Sequence, residues 1–271
     1  MFPQINFGAL APTHLRGMIA GSFVLGGLCL SATGQSFSSA ITFDEALQDY
    51  SHGDIVDPDA YGTMLYYSPR ITVTPPTSSL TKAVIFDTLD PQTAANTSDP
   101  DLIPNTRGNV KTQDLGNIII IQENNGFTTT GNSIDNPYKM VDDDATGGTV
   151  TFDFNPDTNV TIDSLRLTFI DLEKQGDISF IFSDGSISKT ISGSAIQGDT
   201  SIVYGNGNAN ETRFYTAAEL GLTSINKLQV VSKTSFAVDN IRITGSIPEV
   251  SSSLLLISSS LLFCFRRRRN S

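Results

Sequence analysis

The chain has 271 residues, a formal net charge of −11 and no tryptophan. Its length is enough for one domain with a substantial core. Both cysteines, Cys29 and Cys264, lie in apolar segments near the two ends, so the region between them has no disulfide, no thiolate metal site and no cysteine nucleophile. The excess of carboxylates disfavours nucleic acid as a partner and attracts divalent cations.

The first 34 residues have the pattern of a secretory signal peptide. Arg16 precedes an apolar run from Met18 to Leu30, and small residues follow at 31–34. A basic residue, an apolar stretch and a small-residue exit are the features of an export signal. We therefore expect residues 1–34 to be removed and the rest of the chain to leave the cytoplasm.

Residues 35–246 contain short apolar runs at strand spacing, separated by turn residues, which predicts one β-rich domain. The apolar residues of 150–154 alternate with polar ones, and this period of two indicates a strand with one wet face. The run 178–182 repeats the alternation, and the Ser-Asp-Gly-Ser sequence at 183–186 then predicts a tight hairpin.

Other runs predict buried strands and little helix. The runs 118–121 and 165–170 are almost continuously apolar, as expected of central strands covered on both faces. One short helix or turn is predicted at 216–221, where threonine precedes good helix formers and glycine follows them. Together these features predict an all-β fold, an antiparallel β-sandwich of jelly-roll type with at most one or two short helices.

The polar segment 87–114 interrupts the strand pattern. Its prolines exclude a central strand, and its length exceeds that of an ordinary connection. Long loops are often held in place by another group, and the carboxylates here suit a calcium ion. We therefore count Asp87 and Asp101 as candidate metal ligands.

The C-terminal region, 247–271, has three parts in a fixed order. Pro248, Glu249 and Val250 precede a short apolar segment, 254–265, and four arginines follow at once. A cationic cluster after an apolar segment is typical of the cytoplasmic side of a membrane segment. Removing Arg16 and these four arginines, Arg266, Arg267, Arg268 and Arg269, moves the net charge from −11 to about −16.

This order resembles the PEP-CTERM sorting signal of exported bacterial surface proteins, which an exosortase cuts near Pro-Glu-Pro. Here Val250 replaces the second proline, and the apolar segment is shorter than the roughly 20 residues of a permanent span. The resemblance implies transient membrane insertion and an exosortase-type partner. A simple C-terminal membrane anchor is the alternative. Both interpretations place the domain at the cell surface or outside the cell.

Catalytic motifs are not apparent. Outside the expected signal peptide, His52 is the single histidine, and we interpret it as a loop residue. There is no nucleophile elbow and no phosphate-binding loop in the sequence. A carboxylate pair for glycoside hydrolysis stays open among 28 acidic residues, but the absence of tryptophan disfavours a glycan-stacking site. We therefore expect no enzymatic activity.

Calcium is the chemistry that the residues support best. The spacing from Asp142 to Asp153 superficially matches an EF-hand loop, but Asp153 belongs to a strand pattern and not to a helix. We therefore interpret residues 142–147 as an acidic turn that leads into the next strand.

The start and end of the domain resemble those of jelly-roll carbohydrate-binding modules. These parts are Ile-Thr-Phe-Asp-Glu at 41–45 and Phe-Ala-Val-Asp-Asn-Ile-Arg-Ile at 236–243. The resemblance implies adjacent first and last strands and a structural calcium site, with Asp44 and Asp239 as ligands. Asp171 and Glu173 form a further acidic pair at a strand end. A turn or a sheet-edge hydrogen bond is the alternative role for Asp239.

Two classes of function remain at the sequence level. The first is an exported structural or adhesive component of the cell surface or extracellular matrix, stabilised by calcium. The second is a glycan-binding, lectin-like module whose partner is a surface polysaccharide, with Tyr61, Tyr66 and Tyr67 as candidate ligand-binding residues on an exposed sheet face.

Overall fold

The computed structural model describes only part of the chain. The described residues are 35–44, 50–56, 70–74 (backbone only), 82–89, 102–103, 115–123, 128–131, 133–137, 141–154, 160–205 and 207–247. Within these ranges no helix is long and apolar enough to cross a membrane.

The described part of the chain is built almost entirely from antiparallel strands. They are β1 (Gln35–Ile41), β2 (Arg70–Thr74), β3 (Ala83–Asp87), β4 (Asn117–Ile121), β5 (Thr129–Thr130), β6 (Ser133–Ile134), β7 (Gly148–Asp153), β8 (Thr161–Ile170), β9 (Ile178–Ser183), β10 (Ser188–Ser192), β11 (Ala209–Glu211), β12 (Tyr215–Thr216), β13 (Lys227–Ser232) and β14 (Ala237–Ile247). A 3₁₀ turn, Gly193–Ala195, and a short α-helix, α1 (Ala217–Leu220), lie among them.

The strands form two main sheets. The first has the order β11-β8-β14-β4-β3, with β1 also paired to β14 and β12 to β8; the second has the order β10-β9-β13-β7-β2. The strands β5 and β6 form a separate small hairpin. The predicted all-β antiparallel sandwich is confirmed.

The strand order is that of a jelly roll. Eight strands, taken in chain order as β4, β7, β8, β9, β10, β11, β13 and β14, divide into the rows β4-β14-β8-β11 and β7-β13-β9-β10. This is the paired Greek-key order of an eight-stranded jelly roll, with β3 and β2 added at the outer edges. The last strand, β14, therefore lies in the middle of the first sheet, between β8 on one side and β4 and β1 on the other.

The main core lies between the two sheets. Alternating strand residues supply it, because every second side chain of a strand points to the same face. Phe169 of β8 approaches Phe180 of β9 with ring centroids 6.0 Å apart, and Phe182 approaches Tyr215 at 5.4 Å. These four aromatic side chains are almost completely buried. Truncating one of the phenylalanines to alanine would cost about 3–5 kcal/mol of stability.

A second apolar cluster covers the other face of the first sheet near β3 and β4. Ile119 and Ile121 belong to the main core, whereas Ile118 and Ile120 pack into this second cluster with Leu102 and with other buried residues, among them Ile103 and Leu115. The continuous apolar run of β4 is thus explained by burial on both faces, as its sequence predicts. Leu102 and Ile103 belong to the long polar segment 87–114, which therefore contributes apolar side chains to this second cluster.

Two local predictions are confirmed. Strands β9 and β10 form the predicted hairpin, with Ser183 opposite Ser188 and a left-handed Gly185 in the turn. Helix α1 lies where the sequence indicates it: the Thr216 side chain accepts a hydrogen bond from the Glu219 backbone N–H, and Gly221 ends the helix at φ 71°.

Candidate metal centre

The junction of β1, β4 and β14 holds the most unusual charged group of the described residues. On one side of β14, β4 pairs with Ala237 and Val238, and β1 pairs from Ile241 onwards. Asp239 and Asn240 lie between these two pairings. The register of β14 with β8 shifts at the same point, and Asn240 has a positive φ of 49°. The strand therefore bulges where the first and last strands meet.

Asp239 is a fully buried carboxylate, with 0% of the residue exposed. The Asn240 side-chain amide donates a hydrogen bond to Asp239 Oδ2 at 2.8 Å. Within the part of the chain that the structure describes, Asp239 Oδ1 has no hydrogen-bond partner. Burial raises the pKa of Asp239 to about 8; the Asn240 backbone N–H opposes this shift, and the negative charge of Asp44 adds to it.

Asp44 follows β1 and is held by the start of β4. Its Oδ1 accepts a hydrogen bond of 2.6 Å from the Asn117 backbone N–H. The Asn117 side-chain amide donates to the carbonyl oxygens of Phe43 and Tyr50, both at 3.1 Å. Gly116 has a φ of 65°, and a Cβ there would lie 2.3 Å from Asp44 Oδ1. Only glycine leaves room for this carboxylate.

Asp44 and Asp239 carry the type of oxygen ligand that a hard divalent cation binds. Asp44 itself is exposed, but its negative charge disfavours the charged form of the buried Asp239. Calcium prefers carboxylate and carbonyl oxygens. The residues that the structure describes include no group of three or more histidine, cysteine, aspartate or glutamate side chains suited to a metal. Beyond Asp44 and Asp239, the other ligands would therefore be carbonyl or amide oxygens, water, or residues outside the described ranges.

Two of the other predicted metal ligands, Asp87 and Asp171, accept hydrogen bonds of their own. Asp87 ends β3 opposite Asn117, and its Oδ1 accepts a hydrogen bond from the Leu89 backbone N–H at 2.8 Å. Asp171 Oδ1 accepts from the Gly207 backbone N–H at 2.8 Å, and its Oδ2 accepts from Ser235 Oγ at 3.2 Å. Asp171 thereby fastens two loops beyond β8.

Several predicted residues are exposed or are not described. Glu173 is exposed. Asp101, Tyr61, Tyr66 and Tyr67 lie outside the described residues, as do the sorting-signal residues Pro248, Glu249, Arg266, Arg267, Arg268 and Arg269. Their roles stay predictions. Of the six predicted metal ligands, Asp44 is the one whose charge raises the pKa of Asp239.

The acidic turn at 142–147 takes the form that we expect from the sequence. Asp144 Oδ1 accepts a hydrogen bond from the Thr146 backbone N–H at 2.8 Å, and β7 begins at Gly148. Asp153 lies in β7, with its Oδ2 3.7 Å from Lys227 Nζ of β13. Strands and not helices follow this turn, so the EF-hand alternative is not supported.

His52 is a loop residue, as predicted, but a buried one, with 7% exposure. Its Nδ1 accepts a hydrogen bond from the Asp87 backbone N–H at 3.1 Å, and its ring packs edge-on against Phe86 with centroids 5.1 Å apart. Because Nδ1 is an acceptor, it carries no proton. These contacts give His52 a structural role in joining its loop to the end of β3.

The sequence analysis missed the two asparagines that hold the junction together. Asn117 supports Asp44, and Asn240 bonds Asp239. A signal for each is present in the sequence: Asn117 follows a glycine just before an apolar run, and Asn240 directly follows the candidate ligand. Asparagine tolerates the left-handed conformation that a strand bulge requires.

Comparisons with known proteins give no family. No protein-family model matches this chain, and neither does any curated protein. Among solved structures, it is similar to the K2 cleaved adhesin domain of Lys-gingipain, with 10% identity over 76% of this chain and 99% of that domain and a TM-score of 0.35. It is also similar to VP2 of the infectious bursal disease virus subviral particle, with 14% identity over 81% and 73% of the two chains and a TM-score of 0.22. Both likenesses are too distant to bear on the function of this chain.

Proposed function

We propose that the protein is a non-catalytic structural or adhesive β-sandwich of the cell surface or extracellular matrix, stabilised by calcium at the junction of its first and last strands. The observation that carries the calcium part is the buried Asp239, whose Oδ1 has no hydrogen-bond partner among the described residues and whose neighbour Asp44 is also acidic. A divalent cation would neutralise both carboxylates and join β14 to the turn after β1.

Calcium would then cross-link two parts of a domain that has no cysteine between its expected end segments. Disulfides are the usual reinforcement of exported domains, and this region cannot form one. A cation that binds the folded state stabilises it by mass action. Such a cross-link suits an extracellular scaffold, whose task is to keep its shape.

Thermal unfolding of the full-length protein with excess calcium and with chelator tests this part. At a free calcium concentration 100 times the Kd, the gain of about 2.7 kcal/mol corresponds to a rise in Tm of roughly 5–10 °C for a domain of this size. The Asp239→Asn variant should show no such rise. Magnesium is the matched control ion, because it requires a smaller octahedral site. Identical wild-type curves with calcium and with chelator would overturn the calcium proposal.

We further propose that residues 1–34 direct export and that residues 247–271 act as a PEP-CTERM-like sorting signal for an exosortase. The support is the order of motif, short apolar segment and arginine cluster in the sequence. Mass spectrometry of the protein from its native host should then find a C-terminus that lacks Arg266 to Arg269. Recovery of the intact basic end would favour a simple membrane anchor.

The adhesive role itself is tested in the native host. A strain that lacks the protein should lose cohesion between cells or attachment to surfaces, and the wild-type gene should restore it. The Asp239→Asn variant should restore it only partly, because the domain is less stable in the presence of calcium. A deletion strain with unchanged cohesion and attachment would contradict the adhesive role.

A further inference from the structure

A pocket lies at one end of the second sheet. It has a volume of 450 Å³ and lies between the loop that precedes β9 and the ends of β10 and β13. This volume is within the range of small-molecule sites. Its polar lining comprises Asp177, Ser179, Thr190, Ser192, Ser194 and Lys233.

Asp177 is the buried charge of this pocket. It is 7% exposed, and its Oδ2 has no hydrogen-bond partner among the described residues. The ammonium group of Lys174 is 3.9 Å from that oxygen, beyond hydrogen-bonding distance. A buried carboxylate with an unpaired oxygen is destabilising, so a ligand that donates a hydrogen bond to the Asp177 carboxylate gains free energy on binding.

The pocket is formed by backbone that is already fixed. The Asp177 backbone N–H donates to the Lys174 carbonyl at 3.1 Å, and the Asp177 carbonyl accepts from the Lys233 backbone N–H at 2.9 Å. Gly193 packs so closely on the loop before β9 that a Cβ there would lie 1.6 Å from the Gln175 carbonyl oxygen. A preformed site loses little conformational entropy when a ligand binds.

The charges of the pocket select among ligand classes. A cationic ligand would meet Lys233, and an anionic ligand would meet the buried Asp177. A neutral polyol carries both donors and acceptors, so it can donate to Asp177 and accept from Lys233 and the serine and threonine hydroxyls. Val231 and Ile178 add apolar surface for the C–H groups of a sugar ring.

We propose that this pocket binds a neutral sugar residue, with the Asp177 carboxylate accepting a hydrogen bond from a sugar hydroxyl. The lining contains no aromatic side chain for stacking, so binding to a single sugar is weak, with a Kd in the millimolar range. Many copies of the protein on one surface would bind a polysaccharide more tightly through multivalency. This inference is independent of the calcium proposal.

Saturation-transfer NMR on the full-length protein tests the pocket with D-glucose, D-galactose, D-mannose and N-acetylglucosamine at millimolar concentration. At least one of these neutral sugars should receive saturation, and Asp177→Asn should weaken its binding about tenfold or more, because the charged acceptor is lost. Ser192→Trp, which fills the pocket from an exposed position, should abolish the signal. Ser188→Ala, further along β10, is the matched control and should bind as wild type.

Three outcomes would overturn the proposal. They are the absence of saturation for the whole panel, unchanged binding in both pocket variants, or a stronger response from D-glucuronate than from any neutral sugar. If Asp177→Asn unfolds at a lower temperature than the wild type, only Ser192→Trp tests the sugar proposal. Its substituted side chain lies on an exposed strand, so the change should not disturb the core. A negative sugar-binding result would leave the stabilisation by calcium unchanged, so each proposal can be wrong without the other.

Discussion

Asp239 shows how one buried carboxylate couples stability to pH and to a metal. Its pKa of about 8 lies above the value of 3.8 for an ordinary aspartate, so between these pH values the folded protein holds a proton that the unfolded chain has released. Without a divalent cation, the contribution of Asp239 to stability is present below about pH 4 and is lost as the pH rises through 8. Calcium requires the charged form and therefore acts most strongly at high pH.

We expect that adding calcium reverses which of the two proteins, Asp239→Asn or wild type, is the more stable. In chelator at pH 8.5 the variant should be the more stable protein, by an amount on the order of 5 kcal/mol at most, because it has no buried charge to form. In excess calcium the wild type should be more stable. Urea unfolding between pH 5 and 8.5 measures both. Glu173→Gln, which changes an exposed acid, is the control, and its stability should depend on pH and calcium as that of the wild type does. An equal pH dependence of stability in Asp239→Asn and wild type would contradict the expectation.

At the level of elements, the β9–β10 hairpin is fastened by Asp184. Its Oδ1 accepts from the Ser186 and Ile187 backbone N–H groups, and its Oδ2 accepts from the backbone and hydroxyl of Thr223. Hydrogen bonds from the backbone of Ile187, Ser186 and Thr223 lower the pKa of Asp184 to about 2. Its stabilising effect is therefore present above about pH 4 and is lost as the pH falls through 2.

Asp184→Asn should consequently have a lower urea midpoint than the wild type at pH 7. At pH 2, where the wild type loses most of the effect of the Asp184 charge, the two midpoints should lie close together. The neighbouring Ser188→Ala, at an exposed position of β10, serves as the control. A variant that differs from the wild type by the same amount at both pH values would show that the charge of Asp184 has no part in holding the hairpin.

Helix α1 depends on one hydroxyl group for its start. Thr216 Oγ1 accepts from the Glu219 backbone N–H at 3.2 Å, and Glu219 also pairs with Arg213 at 2.6 Å. Thr216→Ala should cost about 1 kcal/mol, which lowers Tm by roughly 2–4 °C, because the backbone N–H loses its acceptor. Thr216→Ser keeps the hydroxyl and should be near wild type in calorimetry. Equal losses in both variants would assign the effect to the threonine methyl group.

The elements that the sequence predicts well are those fixed by neighbours along the chain. The hairpin at 183–186, the cap at Thr216 and the alternation at 150–154 each depend on a few adjacent residues, and all agree with the structure. The bulge at Asn240 and the support of Asp44 by Asn117 depend on contacts between segments over 70 residues apart. Periodicity contains no information on which strands pair, so the local signals at Asn117 and Asn240 do not show which distant residues these side chains contact.

At the level of the whole domain, the two ends of the sandwich lie side by side. Strand β1 pairs antiparallel along its whole length with residues 241–247 of β14, with Gln35 opposite Ile247. Residues 35 and 247, the first and last described residues of the domain, are therefore neighbours. The pairing also means that the first sheet is complete only after the last strand has been made, which predicts slow folding for a sheet of such non-local contacts.

A circular permutant tests this closure. Joining Ile247 to Gln35 through a glycine-rich linker of about four residues, an ordinary hairpin length, should keep the fold, because the two ends are already neighbours. New ends opened after the exposed Gly131, between β5 and β6, should leave both sheets intact and keep Tm within a few degrees of the wild type. Opening the same chain after the buried Leu167 cuts β8, whose pairing with β14 supports the first sheet, so this control should not fold. Far-UV circular dichroism with thermal unfolding distinguishes the two, and loss of the fold in the first permutant would mean that the pairing of β1 with β14 does not suffice to join them.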